Sequence, residues 1–208
     1  MLAFDIDGIV INSADLMLEK FNELYGTDLK KEDWTTYEFE KAFNYPRKML
    51  LDAFRKAIEE TEEAPIFYDG AVETLKLIDS TQPEPVLFVT NREEPWANIA
   101  KKQIEAAIDS EIEINYRTKY PLNNRISKTQ RLLKLGVTNF VEDDPTWWED
   151  YINEGIWVST FKRRYNIAEI ERLDKEKYVY NCAGRFMVYE DWYEFKERFE
   201  GIRVYKWA

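Results

Sequence analysis

Two carboxylates, Asp5 and Asp7, stand one residue apart directly after a short apolar run at the start of the chain. A second apolar run, 86–89, ends in Thr90 and Asn91, which offer a hydroxyl and consecutive backbone N–H groups. Such N–H groups suit the oxygen atoms of a phosphate. The two segments favour a site where carboxylates act on an anionic ligand, although an ordinary turn with two exposed acids would show the same Asp-x-Asp pattern.

A third apolar stretch ends in Asp143 and Asp144. Adjacent carboxylates repel one another unless a cation lies between them or one is protonated. The alternative is that one of the two caps a following helix. Lys128 lies at the predicted start of another helix, where its charge opposes the helix dipole. That placement favours a nearby anion, although a solvated lysine would be ordinary there and Lys119 competes for the same role.

The absence of some residue types excludes several classes of catalytic site and metal site. The 208 residues contain no histidine, which excludes Ser-His-Asp triads and histidine-ligated zinc. The single Cys182 excludes an internal disulfide and a multi-cysteine metal site. A metal in this chain must therefore be a hard ion with oxygen ligands, and Mg²⁺ is the natural candidate.

The formal net charge of −11 argues against long nucleic acid as the main partner, because a phosphate backbone requires a basic surface. A small phosphorylated substrate is compatible with this charge, since it needs only a local positive site. No apolar stretch reaches membrane-spanning length, and Asp5 and Asp7 interrupt any apolar signal segment. We therefore expect a cytoplasmic protein without a membrane partner, either a monomer or a homodimer.

Strand and helix patterns alternate after residue 64, which predicts an α/β fold: a Rossmann-like, doubly wound parallel sheet with helices on both faces. Residues 12–64 differ, because they contain two predicted helices around an aromatic-rich stretch and no convincing strand. We therefore predict a catalytic core of residues 1–11 and 65–208 with a small inserted helical cap, residues 12–64. The ambiguous stretch 202–207 is interpreted as an edge strand.

The order of these segments resembles the four motifs of the haloacid dehalogenase (HAD) superfamily. All four occur in the family's order, at predicted strand ends or at a helix start: Asp5-x-Asp7, Thr90, Lys128 and Asp143-Asp144. The helical insert after the first motif resembles the cap that many members carry there. The resemblance implies a phosphotransfer reaction that depends on Mg²⁺.

The same resemblance implies a role for each motif residue. Asp5 would be the nucleophile that forms an aspartyl-phosphate, and Asp7 would protonate the leaving oxygen and then activate water. An aspartate at the second position is typical of the phosphatases in the family. The groups around the phosphoryl oxygens would be Thr90, the Asn91 N–H and Lys128. The Mg²⁺ ligands would be Asp5, the backbone carbonyl of Asp7, and Asp143 or Asp144.

Within the superfamily, the sequence at 142–145, the compact cap and segments 155–158 and 164–166 look most like the 5'-nucleotidase (deoxyribonucleotidase-like) branch. This resemblance implies a nucleotide or another small phosphate ester as the substrate. The alternatives are a polynucleotide end phosphatase or another phosphotransferase, and a non-enzymatic regulatory or ligand-binding protein. The expected substrate contacts are Asn91, the cap aromatics Trp34, Phe39, Phe43 and Tyr45, and the cations Arg47 and Arg92.

Overall fold

Six parallel strands form one sheet in the computed structural model, in the order β3-β2-β1-β4-β5-β6. Each neighbouring pair is parallel, so the carboxyl ends of the strands lie along one edge. The strands are β1 (Leu2–Phe4), β2 (Val86–Glu93), β3 (Ile112–Arg117), β4 (Asn139–Val141), β5 (Trp157–Phe161) and β6 (Phe186–Tyr189). This arrangement confirms the predicted α/β fold with a parallel sheet.

The structure describes four stretches of the chain: residues 1–63, 65–117, 126–175 and 185–206. Lys119 and Cys182 lie outside these stretches, and so does the last residue of the predicted cap, Ala64. No helix within them is both long enough and apolar enough to cross a membrane.

Both faces of β1 and of the first half of β2 are buried, which explains why these segments are continuous apolar runs rather than alternating ones. Successive residues point to opposite faces: Phe4 and Phe88 pack into one core cluster, whereas Ala3 and Leu87 pack into the other. The ring of Trp192 stacks 5.8 Å from that of Phe4 and covers the first face. The two clusters fix the strand register, because a shift of one residue would exchange the faces.

The helices of the described stretches are α1 (Ser13–Tyr25), α2 (Phe39–Phe43), α3 (Arg47–Glu60), α4 (Ala71–Asp79), α5 (Glu94–Ile108), α6 (Lys128–Lys134), α7 (Trp148–Asn153), α8 (Ile167–Lys175) and α9 (Trp192–Lys206). The first three lie between β1 and β2. They pack around their own aromatic cluster, in which the rings of Phe21 and Phe39 are 5.0 Å apart. This cluster is separate from the two clusters that cover the sheet.

The end of the chain differs from its prediction. Residues 202–206 continue α9 through Gly201, so the interpretation as an edge strand is wrong, and β6 occupies that edge of the sheet. A glycine inside a helix costs about 1 kcal/mol relative to alanine.

Candidate active site

The loop after β1 carries the first predicted site residues. The Asp5 N–H donates to the Val141 carbonyl oxygen at 2.8 Å, which holds the end of β1 beside β4. Gly8 has a φ of +70°, and a Cβ there would lie 1.9 Å from Oδ2 of Asp143. Both the backbone conformation and the space therefore require glycine. The glycine after the two aspartates allows a carboxylate that follows β4 to approach the β1 loop.

Lys128 links the residues that follow β1 and β4. Its Nζ lies 3.0 Å from Oδ2 of Asp5 and 2.7 Å from Oε2 of Glu142. The start of α6 is fixed by a capping box between Ser127 and Gln130, and Lys128 is the first residue of that helix. Burial alone would lower the pKa of Lys128, but the two carboxylates outweigh it and raise the pKa above its usual range. The ammonium therefore stays charged beside Asp5.

Three buried carboxylates meet at this point. Oxygen atoms of Asp5, Glu142 and Asp143 all lie within 4.8 Å of one another. Burial, followed by the charge of Asp5, raises the pKa of Asp143 to about 7. Oδ1 of Asp5 is buried and has no hydrogen-bond partner in the described part of the chain. An unsatisfied carboxylate oxygen beside two further acids fits an oxygen-bound divalent cation such as Mg²⁺.

Asp144 makes a different set of contacts. Its Oδ1 accepts from the Thr146 N–H at 3.0 Å and from the Thr146 hydroxyl at 2.6 Å. These bonds cap the 3-10 turn Pro145–Trp147, which is the capping role that the sequence left open. The structure therefore brings Asp143 to Asp5 and uses Asp144 to begin the next turn.

One residue of the acid cluster and one hydrogen-bond partner of the cluster were not among the predicted site residues. Glu142 is the third carboxylate, and its position directly before the two aspartates was the available signal. Tyr165, between β5 and α8, donates its hydroxyl to Oδ2 of Asp143 at 2.5 Å. Its ring lies 5.4 Å from that of Trp34, so it joins the acid cluster to the helices between β1 and β2. No local sequence pattern indicates this contact.

The end of β2 is irregular where the predicted phosphate contacts lie. β2 advances four residues, from Val89 to Glu93, while β3 advances two. Bulges of this kind bend a strand and re-aim its side chains. Within the bulge, the buried hydroxyl of Thr90 accepts from the Arg92 N–H at 3.1 Å. Asn91 lines the same cleft, but its Oδ1 accepts from Nη2 of Arg131 at 2.9 Å.

Arg92 is engaged by a predicted catalytic residue rather than left open for a ligand. Its Nε lies 2.9 Å from Oδ2 of Asp7 and its Nη2 lies 2.6 Å from Oδ1. Its Nη1 donates to the Trp96 carbonyl oxygen at 3.2 Å, and its side chain is only 2% exposed. Such a paired contact fixes the orientation of a carboxylate as well as its position. Arg92 therefore holds Asp7 at the edge of the sheet.

A cleft of about 850 Å³ opens onto these residues, and the helices between β1 and β2 form one of its walls. Trp34 and Phe39, two of the four predicted aromatic contacts, line this wall. The other two pack within the aromatic cluster: Phe43 lies 4.8 Å from Phe39, and Tyr45 lies 5.1 Å from Phe21. The exposed Arg47 also lines the cleft. The structure thus divides the predicted substrate contacts into two groups.

No family model matches the chain, and no curated protein matches its sequence. Its fold is nevertheless shared by solved structures. A predicted phosphoglycolate phosphatase from Haemophilus somnus 129pt matches with a TM-score of 0.61 and 14% identity, over 96% of this chain and 97% of that chain. A hydrolase from Pseudomonas syringae matches with a TM-score of 0.58 and 16% identity, over 97% of this chain and 98% of that chain.

A third match is a HAD hydrolase of family IA, variant 3, from Entamoeba histolytica HM-1:IMSS. Its TM-score is 0.52 and its identity 15%, over 93% of both chains. At these identities the likeness establishes the fold alone. The chain therefore has the α/β fold of HAD hydrolases, and its reaction has to be argued from the chemistry of the cleft.

Proposed function

We propose that this chain is a Mg²⁺-dependent phosphomonoester hydrolase that acts through an aspartyl-phosphate on Asp5. The observation that carries the proposal is the set of contacts that the two oxygens of the Asp5 carboxylate make. One oxygen contacts the Lys128 ammonium at 3.0 Å, and the other has no described partner. An ionised carboxylate whose charge is balanced by an ammonium, and which lies beside further acids and a buried threonine hydroxyl, is suited to attack a phosphoryl group. The structural matches, which are named as a predicted phosphatase and two hydrolases, support this assignment.

The reaction has two steps that use the same residues. Asp5 attacks phosphorus and forms an O–P bond while the bond to the leaving oxygen breaks, and Asp7 gives that oxygen its proton. Water then attacks the phosphoryl group, Asp7 takes the proton, and the O–P bond to Asp5 breaks to release phosphate. Lys128 neutralises charge throughout. Mg²⁺, held by Asp5, Asp143 and the backbone carbonyl of Asp7, would supply further charge neutralisation when bound.

Asp7 must reach both the leaving group and the water, so its geometry matters. Its side chain is 25% exposed, whereas that of its partner Arg92 is 2% exposed. The buried guanidinium therefore holds the carboxylate from one side while part of it stays open to the cleft. The open part of the Asp7 carboxylate lines the cleft, where a leaving group and a water molecule could reach it.

We take residues 12–64 to be a cap that closes over the cleft and selects the substrate. A lid protects an acyl phosphate from stray water and completes the pocket. We take the substrate to be a nucleotide or another small phosphate ester, as in the deoxyribonucleotidase-like branch. The aromatic wall formed by Trp34 and Phe39 supports a flat group such as a base.

The proposal is tested by phosphate release from p-nitrophenyl phosphate, nucleoside monophosphates and phosphoglycolate, with Mg²⁺ and after chelation. We expect turnover with Mg²⁺, none after chelation, and inhibition by Ca²⁺, which prefers more ligands and longer bonds. Full activity after exhaustive chelation would contradict the metal requirement. Binding of these esters without any release of phosphate would favour the ligand-binding alternative.

The paired variants Asp143→Asn and Asp144→Asn locate the metal. At free Mg²⁺ about 100-fold above Kd, binding should stabilise the wild type by about 2.7 kcal/mol, or about 5–10 °C in Tm. Asp143→Asn should abolish this shift, because it removes a member of the acid cluster, whereas Asp144→Asn should retain most of it. Equal shifts in both variants, measured by thermal denaturation, would place the ion elsewhere.

Two aromatic residues of the segment between β1 and β2 provide a second matched pair of variants. Trp34→Ala should raise KM for the preferred nucleotide roughly tenfold or more, because a stacked base contributes about 1–3 kcal/mol. Phe43→Ala alters the same cluster but not the cleft, so KM should change little. Hydrolysis of p-nitrophenyl phosphate should be nearly unchanged in both variants. Parallel losses on both substrates would show that these rings serve the fold alone.

A further inference from the structure

Part of the cleft lining is basic. Arg117 at the end of β3, with Arg131 and Lys134 on α6, lines it. In the described stretches, no carboxylate oxygen lies within 4.0 Å of a side-chain nitrogen of these three residues. The chain has 40 acidic and 29 basic residues, so cations without an acidic partner run against its overall composition. This basic flank is therefore a local feature that calls for a ligand.

Arg131 is the fixed member of the basic flank. Its Nη1 donates to the Thr90 carbonyl oxygen at 3.0 Å and to the carbonyl and side-chain oxygens of Asn115 at 3.2 and 3.1 Å. Its Nη2 donates to Asn91. All four acceptors are neutral, so the guanidinium is held in place without a direct contact to a carboxylate. Its hydrogen bonds to Thr90 and Asn91 of the bulge place the guanidinium charge beside the proposed phosphoryl site.

Arg117 adds a second charge to the same part of the cleft, because it lies two residues beyond Asn115, which accepts from Arg131. Burial lowers the pKa of Arg131, the charge of Asp5 raises it, and the charge of Arg117 lowers it further. The two guanidinium groups thus repel one another, and an anion between or beside them would relieve that repulsion. Arginine is well suited to bind phosphate, because its planar fork donates two parallel hydrogen bonds.

We infer that the basic flank binds a second phosphate group of the substrate, separate from the one that is hydrolysed. The inference rests on the proposed function, in which the first phosphate lies at Asp5, Lys128 and Thr90. The cleft of about 850 Å³ is in the size range of pockets for whole small molecules. The second phosphate belongs either to a small bisphosphate or to the backbone of a polynucleotide that ends in a phosphate.

The test compares kcat/KM for adenosine 3'-monophosphate, adenosine 5'-monophosphate and adenosine 3',5'-bisphosphate, and for short DNA with a terminal phosphate. The bisphosphate should exceed the better monophosphate about 10-fold to 100-fold, the range expected for one charge-assisted phosphate contact. Arg117→Gln and Lys134→Gln should each reduce this ratio and leave hydrolysis of p-nitrophenyl phosphate unchanged. Lys102→Gln makes the same charge change at a side chain that is 77% exposed and outside the cleft, so it should have no effect.

The outcomes separate the two proposals. If kcat/KM exceeds that of the monophosphates for the DNA only, the second phosphate belongs to a polynucleotide that ends in a phosphate. If kcat/KM is also higher for the bisphosphate, the basic flank binds any second phosphate. Equal kcat/KM for the bisphosphate and the monophosphates would refute the inference that the basic flank binds a second phosphate, but it would not contradict the proposed phosphatase activity. If no substrate is hydrolysed, the phosphatase fails. The affinity for the bisphosphate, measured by calorimetry on the wild type and on Arg117→Gln, then tests the basic flank by itself. A weaker affinity of the variant would support the inference, and equal affinities would refute it.

Discussion

Replacing Asp5 with asparagine is expected to abolish phosphate release while the protein stays folded. The amide has nearly the same shape as the carboxylate, but its oxygen is a poor nucleophile. We expect kcat to fall by about 10³-fold or more, as for other enzymes that lose their nucleophile. Folding should survive because Lys128 keeps its contact with Glu142 at 2.7 Å. Retention of most of the wild-type kcat by the pure variant would refute the assignment.

The control for this variant is Asp150→Asn, the same chemical change at an exposed residue of α7. It should retain wild-type turnover. A direct reading comes from mass spectrometry after rapid quenching, which should find the phosphoryl group on the peptide that contains Asp5. A phosphorylated peptide from elsewhere in the chain would show that a residue other than Asp5 is the nucleophile.

Lys128→Met is expected to have the second large effect, on both catalysis and folding. It leaves Asp5 and Glu142 buried without their shared cation, and breaking a buried ion pair costs about 3–5 kcal/mol. Loss of one group that stabilises transition-state charge lowers kcat by about 10²–10³-fold. Urea denaturation and phosphate release, measured on the same preparation, give the two numbers.

The double variant Lys128→Met with Glu142→Gln separates these effects. Neutralising Glu142 removes one of the two unpaired charges, so the free energy of unfolding should recover in part. Catalysis should not recover, because no cation would contact Asp5. Recovery of kcat together with stability would show that Lys128 acts only through folding.

The fold and the proximity of the motif segments could be predicted from local sequence patterns. Each apolar run that ends in a polar residue indicates a buried strand whose end is exposed, and parallel strands align those ends at one edge. Asp5, Thr90 and the pair Asp143 and Asp144 could be placed near one another on this ground, whereas Lys128 was a candidate because its charge opposes the dipole of a predicted helix. The information is local, because a run of apolar residues and the residue that follows it are read from a few consecutive positions.

Which neighbours of these residues take part in the site depends on contacts between distant parts of the chain. Arg92 pairs with Asp7 across 85 positions of the chain, so no local pattern reveals that it is engaged. Glu142 rather than Asp144 completes the acid cluster, because the direction of a side chain after a strand depends on the turn that follows.

The aromatic residues between β1 and β2 show the same limit. Trp34 and Phe43 look alike in sequence, but only the first of them lines the cleft. Which ring faces a ligand depends on how α1, α2 and α3 pack, and that packing joins residues that are far apart along the chain. Apolar patterns determine that a side chain is buried, whereas the contacts among whole elements determine what it is buried against.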